Sequence, residues 1–373
     1  MSLSSGLHMA RRIRRTPYTD RVEAAGVRGF TVTNHMLLPK AFQPTVEEDY
    51  WHLKEHVQLW DVACERQVEI KGPDAARLVQ WMTSRNITKC RVGQCFYVPL
   101  VDEKGGLIND PVLLKHAEDH FWLSIADSDV LLWAKGLALG AGMNVSVEEP
   151  DVSPLAVQGP KAEDLLASLF GEHVRDIAFF RFGFIEFNGT QQLIARSGYS
   201  KQGGFEIYLN DSQLGPALWD RVMEAGQPYN ITPGCPNLIE RIEGGLLSYG
   251  NEFTRGNHPL ECGLAMFCDL SGDTDYLGLK ALQAIEKAGV NRQMRGLLFN
   301  GGPCPVVSKP WPVMADGKEV GQITSAIYSP RFKENVGLSL IESSDWDPGS
   351  AVSVHSSDGK VRSGSVRTLP FED

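Results

Sequence analysis

The chain reads as an α+β protein with a separate all-β region at its C-terminal end, on three observations. Segments with helical spacing and segments with strand alternation follow one another without the regular strand-helix-strand repeat of a parallel α/β fold. A strand followed by Gly-Pro and an amphipathic helix occurs twice, in "GPDAARLVQWM" (72–82) and "GPKAEDLLASLF" (159–170), so two related α+β halves are expected. From about Asn291 the texture changes to short alternating runs broken by turn residues, as in "ADGKEVGQITSAIYSP" and "SSDGKVRSG", which predicts an all-β domain and a boundary near residue 285.

Taken in order, "TVEEDYWHLKEHVQLWDV" has helical spacing, with Tyr50, Leu53, Val57 and Trp60 on one stripe, and gives way to the strand "RQVEIKG". "CFYVPLV" and the run after Gly105 and Gly106 form an antiparallel pair, because paired glycines suit the positive φ of a tight turn. "GLALGAGMN" is a helix ending in a turn rather than a phosphate cradle. "GYSKQGGFEIYL" (198–209) is a turn leading into a strand with Glu206 and Tyr208 on one face. "GCPNLIERIEGGLLSYGNEFT" (234–254) starts a helix near Pro236 that carries Arg241 and Glu243.

Composition excludes several function classes. The 373 residues are 42% hydrophobic and 22% charged, enough for two or three globular domains with a large core. A net charge of −10 leaves no general basic surface for phosphates, so nucleic acid is not an expected partner. Seven cysteines without a CxxC pair predict neither a disulfide framework nor a structural zinc site, and fit a reducing cytoplasm. No apolar run approaches the roughly 18 residues that span a bilayer, so no membrane association is expected. Residues 1–8 read as a cloning remnant ahead of a native start at Met9. There is no GxGxxG, Walker loop, HExxH or GxSxG. His52 and His56 share a helix face but lack a third ligand, so no metal is expected. The sequence does not exclude a homodimer.

One residue interrupts the pattern. In "VDEKGGLINDPVLLK" (101–115) strand alternation puts Asp110 in a row with Ile108, Val112 and Leu114. An unpaired buried carboxylate costs several kcal/mol, so Asp110 is protonated, paired, open to a cleft or awaiting a ligand. A strand-edge position before Pro111 is the plain alternative.

With "LWDVACERQVEIKGPDAARLVQ", "PLAVQGPKAEDLL", "RIEGGLLSYGNE", "PLECGLAMF", "DYLGLKAL" and "GKEVGQITSAIYSPRFKENVGL" in the same order, the chain resembles the folate-dependent aminomethyltransferase family typified by the glycine-cleavage T-protein. That resemblance implies a three-domain architecture: a discontinuous folate-binding α+β domain (10–55 and 150–285), a second α+β domain (56–149) and a C-terminal β-barrel (286–373). "RRTPYTDRVEAAGV", "NHMLLP" and "GCPNLIERIEGGLLSYGN" extend the likeness to a sulfonium-demethylating branch. Lys201, Gln202 and Asn109 replace residues that in aminomethyltransferases are typically acidic or glycine. The activity so implied is transfer of a methyl group from dimethylsulfoniopropionate to N5 of tetrahydrofolate. Alternatives are an aminomethyl-lipoyl, N-methyl amine or aryl methyl ether donor, or a non-catalytic folate-binding assembly protein.

The resemblance also implies roles. Asp110 is the catalytic carboxylate near the folate; Glu206 matches the two-pronged donor of the pterin ring, with Tyr97 and Tyr208 beside it. Arg241 either meets the folate's glutamate tail or secures the pocket wall. Tyr208, Trp122, Phe30 and Trp60 are the aromatic candidates for the sulfonium, with Ser248 and Lys201 as donors to the substrate carboxylate.

Overall fold

The computed structural model describes residues 10–372, so the expected remnant at residues 1–8 lies outside the described residues. Two sheets stand face to face. The first has six strands in the order Phe182–Phe187, Thr190–Ala195, Gly204–Asn210, Val152–Gln158, Val57–Asp61 and Ile231–Gly234, antiparallel except for the last pair. The second has five, Ser146–Glu148, Gln67–Lys71, His120–Ser124, Val112–Ala117 and Cys95–Tyr97, all antiparallel.

Helices cover the outer face of each sheet. Ala162–Phe170 and Gly215–Ala225 pack Leu165, Leu166, Leu218 and Val222 on Leu155, Ile194 and Ile207 of the first sheet. Ala75–Met82 and Val130–Gly140 pack Leu78, Val79, Val130 and Ala134 on Val68, Ile70 and Phe121 of the second. The inner faces meet through Leu114 and Cys95 on one side and Leu193, Ala195 and Tyr208 on the other. The repeated Gly-Pro corners hold up: Gly72 (φ +128°) and Gly159 (φ +122°) each lead into a covering helix, and a Cβ at Gly159 would come within 2.3 Å of the His56 carbonyl oxygen.

A six-stranded closed barrel follows, in the order Arg292–Phe299, Glu334–Glu342, Lys318–Ser329, Trp311–Ala315, Ala351–His355 and Val361–Arg367, around Leu297, Phe299, Val313, Ile323 and Val366. The α+β class and the C-terminal β-barrel are therefore as expected.

One expectation is corrected, and the domain bounds are redrawn as a proposal. The predicted long helix is Val46–Glu55 only, opened by a capping box between Thr45 and Glu48. Val57 and Trp60 lie instead in the wholly buried strand Val57–Asp61, which is hydrogen-bonded along both edges. Ladder bonding on both sides outweighs a helical spacing that continued by coincidence. That strand also belongs to the first sheet. At the other end, the helix Leu279–Ala288 runs across residue 285 and buries Leu282 against Val101 and Leu107. We propose that the units divide after Asp61 and within 289–291.

Candidate active site

Asp110 stands at a break. The strand Leu107–Asn109 pairs with Leu100–Val101 around a turn in which Gly105 has φ +79°, and the next strand, from Val112, belongs to the five-stranded sheet. The expected apolar row does not run through Asp110. Ile108 packs in one core with Leu113, whereas Val112 and Leu114 pack in another, so the alternation slips by one residue at Asp110-Pro111. Proline supplies no ladder donor there, and only its carbonyl is used, by the Val98 N–H.

The break leaves Asp110 between the two-stranded pair and the five-stranded sheet, outside both ladders. Oδ2 accepts a 2.8 Å bond from the Tyr97 hydroxyl, while Oδ1 is buried with no hydrogen-bond partner among the described residues. Burial is the main cause that pushes its pKa up to about 7; Glu252 adds to the rise, and the Tyr97 bond and Asp110's own backbone oppose it.

Glu206 lies on the strand Gly204–Asn210, whose Phe205, Ile207 and Leu209 face the helices, so Glu206 and Tyr208 share the inner face as expected. Its Oε2 accepts from Ser197 and, at 3.2 Å, from Tyr208. Oε1 has no protein donor among the described residues. Burial raises the Glu206 pKa, and the two hydroxyl bonds partly offset it.

A third carboxylate, Glu65, escaped the sequence reading. It sits in the turn joining the strand Val57–Asp61 of one sheet to Gln67–Lys71 of the other. Gln67 fixes this turn by donating to the Glu65 carbonyl at 2.7 Å and to Ser124 Oγ at 2.9 Å. Burial raises the Glu65 pKa well above the ordinary carboxylate value, the charges of Glu206 and Asp110 add to the rise, and Ser124 opposes it. Its only sequence signal was a carboxylate between two apolar strands.

Arg241, on the helix Leu238–Glu243, is buried in an ion pair. Nη1 donates to Glu252 at 2.7 Å and to the Leu246 carbonyl at 3.1 Å, and Nη2 donates to Ser325 of the barrel at 2.7 Å. Both Nη atoms are thus engaged by groups of the protein itself.

The remaining candidates divide. Trp122 stacks obliquely on Tyr208, with ring centroids 6.3 Å apart, and donates to Glu69 at 2.8 Å. Trp60 is core, its Nε1 bonded to Gln58, and Phe30 packs on the helix side of the first sheet. The Ser248 hydroxyl accepts from Asn251, and its N–H bonds Glu252. Lys201 is exposed at φ +58°, its stem over Gly244. No hydrogen bond or ion pair among the described residues joins Lys201, Ser248, Phe30 or Trp60 to Asp110, Glu206 or Glu65. A cavity of about 550 Å³ beside Arg14, Arg66 and Ser212 is lined by none of the site residues, and Arg14 and Arg66 are paired with Glu149.

Residues 18–272 match the GCVT N-terminal domain, and residues 292–373 match the glycine cleavage T-protein C-terminal barrel domain. The chain belongs to the glycine cleavage T-protein family. Within this family it is 53% identical, over 94% of its length and 95% of the relative's, to dimethylsulfoniopropionate demethylase DmdA of Ruegeria pomeroyi. To the aminomethyltransferase of Alkaliphilus metalliredigens it is 31% identical over 85% of the chain and 86% of that protein. The crystal structure of aminomethyltransferase T from Bartonella henselae superposes with a TM-score of 0.86 over 96% of this chain and 98% of that one, at 23% identity, a likeness of fold. All seven cysteines are free. Among the described residues no helix is long and apolar enough to cross a membrane, and no group of three or more His, Cys, Asp or Glu is placed to hold a metal ion.

Proposed function

We propose that the chain demethylates dimethylsulfoniopropionate with tetrahydrofolate as methyl acceptor. The observation that carries the choice of donor is the 53% identity to a dimethylsulfoniopropionate demethylase, against about 30% to aminomethyltransferases over similar lengths. Tetrahydrofolate supplies the nucleophilic N5; the sulfonium methyl moves to it, the bonding pair returns to sulfur, and a proton is lost.

The residues fit such a reaction. The unpartnered, buried Oδ1 of Asp110 is an acceptor waiting for a donor, and a buried acceptor left without one costs about 1–3 kcal/mol. Held by Tyr97 and with a pKa raised to about 7, Asp110 orients the acceptor, stabilises positive charge developing beside it and takes up the proton. Glu206 presents Oε1 free of donors from the described residues, and its 3.2 Å bond from Tyr208 is the weaker of two on Oε2 and the one to yield to the pterin's second donor. Tyr208 and Trp122 supply aromatic faces for a sulfonium. A sulfonium carries a good neutral leaving group, so alignment of the two reactants accounts for much of the rate. Ser248 and Lys201 as donors to the substrate carboxylate, a site without metal, a homodimer and a cytoplasmic location remain parts of this proposal.

The test is to offer dimethylsulfoniopropionate, its trimethylammonium analogue and methylthiopropionate separately with tetrahydrofolate. Methylthiopropionate and 5-methyltetrahydrofolate should form in equal amounts from the first alone. No product there, with methylenetetrahydrofolate formed from an aminomethyl-lipoyl donor, would overturn the reading.

A further inference from the structure

The five-stranded sheet buries Val68, Ile70, Phe121 and Leu123 on its helix side. Alternation therefore turns Glu69 and Lys71 of one strand, and His120 and Trp122 of its neighbour, toward the six-stranded sheet. Trp122 and Glu69 are direct cross-strand partners, and Leu114 flanks Trp122 on the other side. Nothing in the proposed reaction calls for a carboxylate in this row.

Glu69 nonetheless gathers three donors on one oxygen. Oε1 accepts from Trp122 Nε1 at 2.8 Å, and lies 2.8 Å from Lys71 Nζ and 3.0 Å from His120 Nε2. Burial works against the charge on Glu69, but the bonds from Lys71, Trp122 and His120 outweigh it and hold the pKa below the ordinary carboxylate value. The indole is thus fixed by a charge-assisted bond, the stronger kind. Its faces are bracketed as well. His116 packs on the indole with ring centroids 4.3 Å apart, and is itself stacked on His120 at 4.4 Å with 17° between the planes. Across the gap stands Tyr208, at 6.3 Å, whose hydroxyl bonds Glu206. His116 Nε2 is buried without a hydrogen-bond partner among the described residues, so this ring acts on Trp122 by contact alone. Burial and the neighbouring His120 lower its pKa to about 4, which keeps it neutral.

We infer that Glu69 is the positioning residue of the methyl-donor slot: by fixing the Trp122 indole it sets how the Trp122 and Tyr208 faces stand to each other, and so how a sulfonium fits against them. The inference rests on the proposed substrate. Without the Nε1 bond the indole keeps only its ring contacts, and rotation about its side-chain torsions changes the face it presents to Tyr208.

The experiment compares full-length wild type, Glu69→Leu, Glu69→Gln, Trp122→Phe and the double variant Glu69→Leu/Trp122→Phe. In protein labelled with 5-fluorotryptophan, loss of a signal in Trp122→Phe assigns the Trp122 resonance. That resonance should stay in place in Glu69→Gln, whose amide oxygen still accepts from Nε1, and shift or broaden in Glu69→Leu. With dimethylsulfoniopropionate as donor, Glu69→Leu should raise KM about tenfold, with kcat and tetrahydrofolate affinity within about twofold of wild type, and Glu69→Gln should recover most of the loss. In the Trp122→Phe background, which has no Nε1–H, Glu69→Leu should change KM less than about twofold. In a wild type that demethylates dimethylsulfoniopropionate, an unmoved resonance in Glu69→Leu, or the same rise in KM in both backgrounds, would overturn the positioning role and leave the substrate reading standing. Equal losses in Glu69→Gln and Glu69→Leu would mean that Glu69 acts on the sulfonium through its charge, which overturns it too. A resonance that moves in Glu69→Leu, with a wild type that does not demethylate dimethylsulfoniopropionate, would overturn the substrate reading and the donor slot with it, and keep Glu69 as the group that fixes Trp122.

Discussion

Replacing Asp110 with asparagine should stabilise the protein at alkaline pH. Its carboxyl pKa is raised from 3.8 to about 7 in the fold. A carboxyl group whose pKa rises on folding binds its proton more tightly in the native state, so the stability it contributes falls as pH rises from 3.8 through about 7 and is then constant. A rise of about three units corresponds to a penalty of up to about 4 kcal/mol above pH 7, at about 1.36 kcal/mol per unit. The asparagine would keep the acceptor for Tyr97 and have no charge to desolvate. It would place an amide N–H where Oδ1 now lacks a partner, which costs about 1–3 kcal/mol at every pH. The difference leaves Asp110→Asn about 1–3 kcal/mol more stable than wild type at pH 8 and equal or less stable at pH 4.5. Urea unfolding of both proteins across that range measures it. A stability difference independent of pH would mean that the carboxyl group is solvated in the native state, and the account of Asp110 as a buried, strained acceptor would fail.

Other consequences concern activity. Turnover by wild type should rise with pH through about 7 as Asp110 ionises, and Asp110→Asn should lower kcat far more than it weakens tetrahydrofolate binding, because its main partner is charge that develops in the transition state; stopped turnover at varied pH and direct binding separate the two. Glu206→Gln retains the shape but turns one acceptor into a donor, so tetrahydrofolate affinity should fall by about 1.5–3 kcal/mol in calorimetry, with Tm little changed.

Much of this site is legible in the sequence wherever one strand carries the information. Glu206 and Tyr208 come from simple alternation against Phe205 and Ile207, and the Gly-Pro corners from local backbone chemistry. Asp110 stood out because it interrupted an apolar run. The reason proved different: Pro111 ends one pairing and shifts the next, and the interruption marks a gap between sheets, not a polar step along one face. Glu65 was invisible because the groups that influence its pKa, Glu206, Asp110 and Ser124, are remote from it in sequence. The helical stripe through Val57 and Trp60 misled for the same reason: tertiary strand pairing decided a segment whose spacing suited either form.

Arg241 shows how far the environment of Asp110 extends. Its guanidinium binds Glu252, and Ser325 of the barrel bonds both, so the C-terminal domain forms part of the wall behind Asp110. Glu252 acts on Asp110 in the direction that raises its pKa. Glu252 is itself paired with Arg241 at 2.7 Å. Arg241→Met fills similar volume without charge and leaves Glu252 buried and unpaired, which costs about 3–5 kcal/mol of stability. The same loss exposes Asp110 to the full field of Glu252, so the midpoint of the pH-rate profile should move above its wild-type position. Arg241→Lys, which keeps the charge without the forked geometry, should restore most of the midpoint and only part of the stability. A binding role for Arg241 predicts a different pattern: affinity would fall most for tetrahydrofolates with longer glutamate tails, and the midpoint would stay in place. Profiles measured with mono- and polyglutamyl tetrahydrofolate decide between them, and a tail-length dependence with a fixed midpoint would return Arg241 to ligand recognition.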